Sequence, residues 1–334
     1  MAANSNLHKA KEAKNDEFYT QLTDVSKELM HYKQHFKDKI VLCNCDDPTW
    51  SAFWKYFHLN FSALGLKKLI STHYDKNEPT YKMEYMGDDD NDIEVGVKTP
   101  LEGNGDFRNQ ECLDLLDEAD IVVTNPPFSL FREYVAVLME HEKKFLIIGN
   151  MNAITYKEIF PLIRDDRLWL GVSLSGSKCS FIVPDSYEGK NTYYENGHKM
   201  AKINNAIWFT NLDHTKRHEK LILWKKYTPE EYPHYDNYDA INVDRYGEIP
   251  IDWDGVMGVP ITYLYRHNPE QFEIVAFRKG DDGKDLVFTR ERESSTVLSY
   301  PCTTSIAGMI KNAEGKINGK PTYSRITIRR KLNR

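Results

Sequence analysis

The sequence predicts an α/β protein built on a Rossmann-like, doubly wound sheet. Short apolar, β-branched segments alternate with segments of helical spacing up to about residue 213. Polar or acidic residues follow several of the apolar segments, at positions where the carboxyl ends of parallel strands would meet. The composition then changes, because residues 214–334 are richer in basic residues and less periodic. The sequence therefore predicts one region over residues 1–213 and a second over residues 214–334.

Length and composition limit the class of protein. The chain has 334 residues, of which 40% are hydrophobic and 12% aromatic, enough for a substantial core. No stretch has the length and apolarity of a membrane span, and the first residues lack the apolar core of a signal peptide. Five scattered cysteines indicate reduced thiols in a cytoplasmic protein. Cys43 and Cys45 do not have the spacing of a metal site, so no metal is expected.

The charge is distributed unevenly along the chain. The net charge is −6, yet Arg278 to Arg334 holds 13 Lys and Arg against 6 Asp and Glu. Asn196 to Thr228 holds 7 basic residues against 2 acidic ones. Basic segments on an acidic protein favour a polyanionic partner, although an ordinary solvated surface explains the pattern equally well.

The predicted elements follow in chain order. The first predicted helices and strands are a helix at Asp24–Phe36, a strand at Lys39–Asn44, a helix at Trp50–Asn60 and a strand at Leu66–Ser71. The later predicted strands are Phe145–Asn150, Leu168–Leu174, Cys179–Val183, Ile203–Thr210, Met257–Tyr265, Glu273–Phe277 and Tyr323–Arg330. Gly189–Lys199 reads as a polar loop, and the acidic run Asp88–Asp92 as the loop of a hairpin.

One turn has the composition of a catalytic site. Asn125-Pro126-Pro127-Phe128 stands between an apolar strand at Ala119–Val123 and a helical segment. The prolines stop the strand and remove two backbone donors. The side-chain oxygen of Asn125 and the carbonyl of Pro126 can accept hydrogen bonds from an exocyclic amine, while the Phe128 ring stacks on the base that carries it. The alternative is a purely structural proline turn.

Acidic residues follow the first two predicted strands. Asn44, Asp46, Asp47 and Pro48 form a glycine-free turn after the first strand, where a carboxylate can bind an ammonium group or merely cap the next helix. Asp75 follows the second strand, the position at which nucleotide-type cofactors have their ribose hydroxyls bound.

The order of the motifs resembles the γ arrangement of adenine-N6 DNA methyltransferases. Phe18-Tyr19-Thr20 comes first, then the acidic turn, then Asp106 and Phe107 after Gly105, and then the Asn125 turn. More narrowly, the chain resembles the EcoRI-type adenine-specific methyltransferases of restriction–modification systems. Stretches that carry this likeness are His8–Lys11, Asp16–Gln21, Cys43–Pro48, Leu64–Ile70, Gly258–Thr262 and Asn268–Phe272.

The resemblance implies a fold and a function. It implies a class I S-adenosylmethionine-dependent methyltransferase fold over residues 1–213 and a C-terminal α+β target-recognition region over residues 214–334. The enzyme would flip an adenine out of double-stranded DNA and methylate its N6. The residues implied to hold S-adenosyl-L-methionine are Phe18, Tyr19, Thr20, Asn44, Asp46, Asp47, Pro48, Asp75, Asp106 and Phe107. The implied catalytic residues are Asn125, Pro126, Pro127 and Phe128.

The resemblance also implies partners. Candidate DNA contacts in the basic segments are Arg217, Lys225, Arg278, Lys279, Arg290, Arg292, Arg325 and Arg329. A monomer in the bacterial cytoplasm, reaching the nucleoid through DNA, is expected, with no membrane partner. A cognate restriction endonuclease without a stable complex and a GAATTC-like target are also implied.

Other functions share parts of this pattern. An RNA amino-methyltransferase can carry Asn-Pro-Pro-Phe and a basic C-terminal region. A DNA-binding module that has lost catalysis would explain the glycine-free turn. A protein-glutamine methyltransferase is a third possibility, although its motif usually ends in Tyr.

Overall fold

A computed structural model gives the structure of most of the chain. The described residues are 20–45, 47–75, 79–87, 95–173, 179–183, 185, 187–189, 191–203, 205–236, 239–277, 287–290, 298–301, 316–318, 320–321 and 325–331. They form two compact units. The first unit comprises the described residues up to Ala153 together with Trp169–Asp213. The second comprises Ile154–Leu168 and the described residues from His214 onward.

The first unit is organised around an eight-stranded mixed sheet with the strand order β4-β3-β2-β1-β5-β6-β11-β7. Its strands are β1 (Ile40–Cys43), β2 (Lys68–Thr72), β3 (Tyr81–Tyr85), β4 (Val97–Pro100), β5 (Ile121–Thr124), β6 (Lys144–Asn150), β7 (Trp169–Leu170) and β11 (Ala206–Thr210). A separate three-stranded sheet contains β8 (Cys179–Ile182), β9 (Thr192–Glu195) and β10 (His198–Ile203).

The centre of the large sheet is parallel. Strands β2, β1, β5 and β6 run in one direction, while β3 and β11 pair antiparallel with their neighbours. Every residue of β1 and β5 is buried, as expected for strands covered on both faces. The chain continues outward from β1 to β2 on one side and from β5 to β6 on the other. The strand order therefore reverses between β1 and β5, the place where open α/β sheets bind ligands.

Short helices pack on the sheet of each unit. They are α1 (Leu22–Leu29), α2 (Ala52–Leu59), α3 (Phe61–Leu64), α4 (Gln110–Glu118), α5 (Phe131–Glu140) and, in the second unit, α6 (Phe160–Arg164). Ser51 begins α2, because its hydroxyl accepts the backbone N–H groups of Phe53 and Trp54. Phe53 then packs edge-on against Trp208 of β11 with ring centroids 6.0 Å apart, which fixes α2 to the core.

The second unit contains a four-stranded sheet with the order β12-β13-β19-β14. Its strands are β12 (Ile241–Asn242), β13 (Met257–Pro260), β14 (Phe272–Phe277) and β19 (Arg325–Arg330). Helix α6 packs on β14, where the rings of Phe160 and Phe277 lie 5.1 Å apart. Two small hairpins pair β15 (Val287–Arg290) with β16 (Leu298–Pro301) and β17 (Lys316–Ile317) with β18 (Lys320–Pro321).

The prediction of an α/β protein is confirmed as a mixed α/β fold with a large mixed sheet. The polar loop predicted at Gly189–Lys199 is wrong, because β9 and β10 form an antiparallel hairpin there. Its turn is Asn196-Gly197, with φ of 49° and 80°. Asn-Gly at positive φ is the preferred two-residue hairpin turn and was a readable signal.

Two other predicted elements are shorter than expected. The predicted helix Asp24–Phe36 ends at Leu29 and is followed by a 3₁₀ turn at Lys33–His35. The predicted strand Met257–Tyr265 stops at Pro260, after which Ile261–Arg266 is 3₁₀. The acidic run at Asp88–Asp92 lies outside the described residues.

Candidate active site

Three polar residues line the edge where the strand order reverses. Asn44 follows β1, while Thr72 and Thr124 end β2 and β5. The parallel registers pair Cys43 with Ser71 and Leu42 with Val122, so their continuation sets Asn44 between Thr72 and Thr124. The hydroxyls of Thr72 and Thr124 are buried and have no hydrogen-bond partner within the described structure. Because orphaned buried hydroxyls are costly, this edge has the character of a site for a polar ligand.

Tyr134 of α5 links Asn44 to the Asp106 loop. Its hydroxyl donates a short hydrogen bond to Oδ1 of Asn44, and its ring meets Phe107 edge-on at 5.0 Å. Burial raises the pKa of Tyr134 well above its ordinary value, so the hydroxyl stays protonated as a donor. The end of β1, the Phe107 loop and the helix after Asn125 are thus held together by one buried side chain.

Asp47 organises the turn after β1. Its Oδ1 accepts the Thr49 backbone N–H at 2.8 Å, the Thr49 hydroxyl at 2.6 Å and the Tyr81 hydroxyl at 2.8 Å. Its Oδ2 lies 3.5 Å from Nε2 of His73. Desolvation, together with the neighbouring Asp47, raises the pKa of Tyr81. Because Ser51 caps α2, the Asp47 carboxylate does not cap this helix. Its hydrogen bonds stabilise the turn after β1 and connect the turn to Tyr81 of β3.

Gly105 brings the predicted ribose-binding and adenine-binding segments together. Its φ is +72°, and a Cβ at this position would lie 2.2 Å from the backbone oxygen of His73. Only glycine fits both demands. In the same contact the Asp75 backbone N–H donates to the carbonyl of Asn104 at 3.2 Å. The segment after β2 and the loop before Phe107 are therefore neighbours.

Asp106 is held by an ion-pair network. Arg108 donates to both of its carboxylate oxygens, at 2.9 Å and 2.6 Å, and also bonds Glu133 of α5 at 2.8 Å. The Asp106 side chain is 16% exposed. Oδ1 also accepts the backbone N–H of Arg108 at 3.0 Å, so the network fixes the orientation of the carboxylate.

The Asn125 turn follows β5 directly. Asn125 and Pro126 are buried, while Pro127 and Phe128 are half-buried. A 3₁₀ turn at Phe128–Leu130 then leads into α5. The two prolines thus end β5 at Thr124 and set the Asn125 amide at the edge where the strand order reverses.

The remaining predicted cofactor residues fall into two groups. Thr20 is 7% exposed, and its hydroxyl has no hydrogen-bond partner among the described residues. Pro48 is buried in the Asp47 turn. Phe18, Tyr19 and Asp46 lie outside the described residues.

The predicted DNA-contact residues of the second unit are engaged in ion pairs wherever their side chains are described. Arg217 pairs with Asp166, Lys225 with Glu231 at 3.1 Å, Arg325 with Asp244 at 3.1 Å, and Arg329 with Glu273 at 2.6 Å. Arg278, Lys279 and Arg292 lie outside the described residues, and Arg290 is described only in its backbone, at the end of β15. Each described pair is internal to the second unit.

The sequence argument missed three residues that shape the site: Tyr134, His73 and Tyr81. Tyr134 had a readable signal, because it occupies the apolar face of α5 with Phe131, Val135 and Leu138. A hydroxyl on such a face needs a buried partner. The roles of His73 and Tyr81 depend on an antiparallel pairing of β2 with β3, which no local pattern specifies.

A sequence model of one protein family, described as adenine-specific methyltransferase EcoRI, matches residues 6–331. The chain belongs to this family. The resemblance predicted from the motifs is thereby confirmed, as is the prediction of an adenine-specific methyltransferase.

Three relatives are Type II methyltransferases. M.EcoRI of Escherichia coli is 51% identical over 303 residues, which cover 85% of this chain and 93% of that protein. M.MpnI of Mycoplasma pneumoniae is 36% identical over 98% of both chains. M.MgeORF184P of Mycoplasma genitalium is also 36% identical, over 97% of this chain and 98% of its own. No solved structure gives a significant match.

Two further observations concern the described part of the chain. None of its helices is both long and apolar enough to cross a membrane. It also contains no group of three or more His, Cys, Asp and Glu side chains placed to hold a metal ion.

Proposed function

We propose that this protein is a site-specific DNA methyltransferase of a restriction–modification system, acting on adenine N6 with S-adenosylmethionine as cofactor. One observation carries the proposal. Asn125-Pro126-Pro127-Phe128 stands at the carboxyl end of β5, beside the reversal of strand order, in a chain of the EcoRI adenine-specific methyltransferase family. The parallel centre of the sheet and its reversal between β1 and β5 support a Rossmann-like class I fold.

The residues at this edge fit S-adenosylmethionine. The orphaned hydroxyls of Thr72 and Thr124 supply unused polar groups in a buried setting, and the buried hydroxyl of Thr20 is likewise without a partner in the described structure. Asp47 lies beside Asn44 and would hold the ammonium group. The Gly105 contact brings the Asp75 and Asp106 segments together, which supports a shared ligand. Asp75 would bind the ribose hydroxyls, and Asp106 would accept a hydrogen bond from the adenine amino group. Phe107 would pack against that adenine, with Phe18, Tyr19, Asp46 and Pro48 as further contacts.

His73 is an additional cofactor contact in this proposal. Its Nε2 faces Asp47 at 3.5 Å, and its Nδ1 is buried without a hydrogen-bond partner in the described structure. If Asp47 accepts from Nε2–H, the neutral imidazole has Nδ1 as an acceptor. That nitrogen would accept a hydroxyl of the cofactor.

The protein's part in the reaction is to position the target. An adenine inside a duplex must leave the stack, at a cost of a few kcal/mol. Phe128 would stack on the flipped base, which returns on the order of 1–3 kcal/mol. The side-chain oxygen of Asn125 and the Pro126 carbonyl would accept the two N6–H bonds and direct the nitrogen lone pair at the methyl donor.

Proton transfer follows methyl transfer in this mechanism. S-adenosylmethionine, when bound, supplies a methyl group that is already reactive. Positioning then lowers the barrier, and no side chain needs to deprotonate N6 beforehand. After transfer the nitrogen is acidic, and its proton leaves to solvent.

The second unit would recognise the target sequence. We propose that it contacts double-stranded DNA through its basic residues and that the enzyme acts as a monomer, without a stable complex with its cognate endonuclease. The relatives named M.EcoRI and M.MpnI are Type II methyltransferases, which supports a short specific target. A GAATTC-like target stays a prediction for this chain.

A labelled-methyl transfer assay on genomic DNA lacking adenine methylation tests the proposal. The expected product is N6-methyladenine at one short motif, found by mapping the modified bases. Transfer to structured RNA in preference to duplex DNA would replace the proposal with an RNA amino-methyltransferase. If the protein binds neither S-adenosylmethionine nor methyl-accepting DNA, the result would favour an inactive module.

A further inference from the structure

We propose that an extended segment of the second unit, Lys220–Lys226, forms a docking surface for duplex DNA. The outward residues of this segment are Lys220, Ile222, Trp224 and Lys226, and we call them the 220–226 face. This inference deepens the proposed function, since it takes a DNA substrate as given. The side chains of this face are different from the ion-paired predicted DNA contacts Arg217, Lys225, Arg325 and Arg329.

The segment alternates in burial as an extended chain does. Lys220, Ile222, Trp224 and Lys226 are exposed, whereas Leu221, Leu223 and Lys225 are half-buried. A period of two places alternate side chains on opposite sides of the backbone. The four outward side chains therefore share one face.

Hydrogen bonds hold the inward side of the segment against the rest of the second unit. The Leu221 backbone exchanges two bonds with the Gln271 side chain, at 2.8 Å and 2.9 Å. The Lys225 carbonyl accepts from the Ile251 N–H at 2.8 Å, and the Tyr227 N–H donates to Asp252 at 2.8 Å. These anchors at both ends fix which side chains point outward.

The outward face combines exposed apolar side chains, which are unfavourable in water, with two lysines that are unpaired in the described structure. Ile222 is 87% exposed and Trp224 is 67% exposed, more than any other large hydrophobic residue described in the second unit. Lys220 and Lys226 on either side make no hydrogen bond or ion pair in the described part of the chain. Contiguous exposed apolar side chains mark interaction sites.

Charge complementarity selects a polyanion as the occupant. Two acidic residues next to the segment are already paired with cations, Glu219 with Arg266 at 3.3 Å and Glu231 with Lys225 at 3.1 Å. The ammonium groups of Lys220 and Lys226 remain available. Two available cations flanking an aromatic and an aliphatic side chain suit a duplex, whose phosphates border grooves lined by sugars and base edges.

The length of the face also suits a short DNA site. The six residue-to-residue steps from Lys220 to Lys226 span at most about 20 Å in an extended chain, which is the rise of roughly six base pairs. The two lysines would contact phosphates near the ends of this span. Trp224 and Ile222 would pack between them on sugars and base edges.

Salt-dependent DNA binding tests this surface. The double variant Lys220→Gln/Lys226→Gln is expected to lower the slope of log affinity against log salt by about 1.8, since each phosphate contact contributes about 0.9. Trp224→Ala is expected to weaken DNA binding about tenfold with the salt slope unchanged. Affinity for S-adenosylmethionine and the thermal unfolding temperature should stay at wild-type values in both variants.

A second double variant provides the matched control. Lys33 and Lys67 are exposed lysines of the first unit that also make no ion pair among the described residues. Lys33→Gln/Lys67→Gln removes the same charge and should leave the salt slope nearly unchanged. An equal drop in both double variants would show a net-charge effect and overturn the proposal.

The remaining outcomes separate this proposal from the proposed function. If the wild-type protein methylates duplex DNA while the 220–226 variants bind DNA like wild type, the surface is wrong and the function stands. If the wild-type protein transfers no methyl group to DNA, the proposed function itself fails. If sedimentation shows that the wild-type protein is a dimer and that Trp224→Ala is a monomer, the 220–226 face binds a second copy of the chain. That result would overturn DNA docking.

Discussion

The carboxyl edge of the central sheet and the surface of the second unit satisfy their polar groups in different ways. At the sheet edge, Asp47 and Asn44 are bonded within the site, yet the hydroxyls of Thr72 and Thr124 beside them are buried without partners in the described structure. On the second unit, Arg325 is already paired with a carboxylate. The sheet edge is therefore preorganised for a ligand that bonds the two unpartnered hydroxyls.

The difference teaches what each region must do when a ligand binds. The sheet edge keeps its geometry and gains hydrogen bonds, so removal of one of its groups should cost rate. If the paired arginines contact DNA as proposed, each exchanges a carboxylate for a phosphate and contributes a small net change, as surface ion pairs do. Large effects are therefore expected at the sheet edge and small ones at the paired arginines of the second unit.

The largest effect is expected for Asn125→Ala. Loss of a positioned acceptor for N6–H should lower methyl transfer by about 10²-fold or more, because such groups act mainly in the transition state. Cofactor affinity should change little. Single-turnover transfer and cofactor titration measure the two, with the exposed Gln110→Ala as control. A loss of cofactor affinity instead would place Asn125 in the cofactor site.

Phe128→Ala should have the next largest effect. The lost stacking is worth about 1–3 kcal/mol, which corresponds to roughly 5- to 150-fold in transfer rate. DNA affinity should fall less, because most contacts lie elsewhere. Phe128→Tyr keeps the ring and should retain most of the activity. An unchanged turnover in Phe128→Ala would exclude the stacking role.

Gly105→Ala tests whether the sheet edge is preorganised. Both the positive φ and the 2.2 Å approach of a Cβ to the His73 oxygen oppose the substitution. We expect a loss of about 1–3 kcal/mol in the free energy of unfolding and weaker cofactor binding. Urea unfolding and cofactor titration are the measurements.

Gly197→Ala is the control for that substitution. Gly197 has a φ of +80° but no atom within 4 Å of the added Cβ. It should show only the backbone cost, about 1 kcal/mol, with cofactor affinity unchanged. Equal behaviour of the two variants would mean that the contact with His73 is unimportant.

The smallest effect is expected for Glu273→Gln on the second unit. Removal of this carboxylate releases Arg329, whose Nε lies 2.6 Å from it. DNA affinity should rise by no more than about fivefold, since an exposed ion pair is worth about 0–1 kcal/mol. Glu230→Gln makes the same charge change at an exposed residue without an ion pair in the described chain. An equal rise in both variants would reflect net charge alone.

Local sequence patterns were sufficient for the main elements and for the proline turn at Asn125. The β-branched runs Ile40–Cys43 and Ile121–Thr124 form strands, and Pro126 and Pro127 end the second of them. These features depend on propensities and proline geometry, which act over a few residues. The motifs also determined the family, which the match over residues 6–331 confirms.

Non-local contacts were decided only by the tertiary structure. Tyr134 lies 90 positions from Asn44, and Gly105 contacts His73 through a loop. Glu28 of α1 is fully buried and accepts the backbone N–H groups of Val172 and Ser173, more than 140 residues away. Such pairs arise because a buried polar group must find a partner wherever the packed chain supplies one. Sequence thus determined the strands, the turn and the family, while packing decided which side chains meet at the sheet edge.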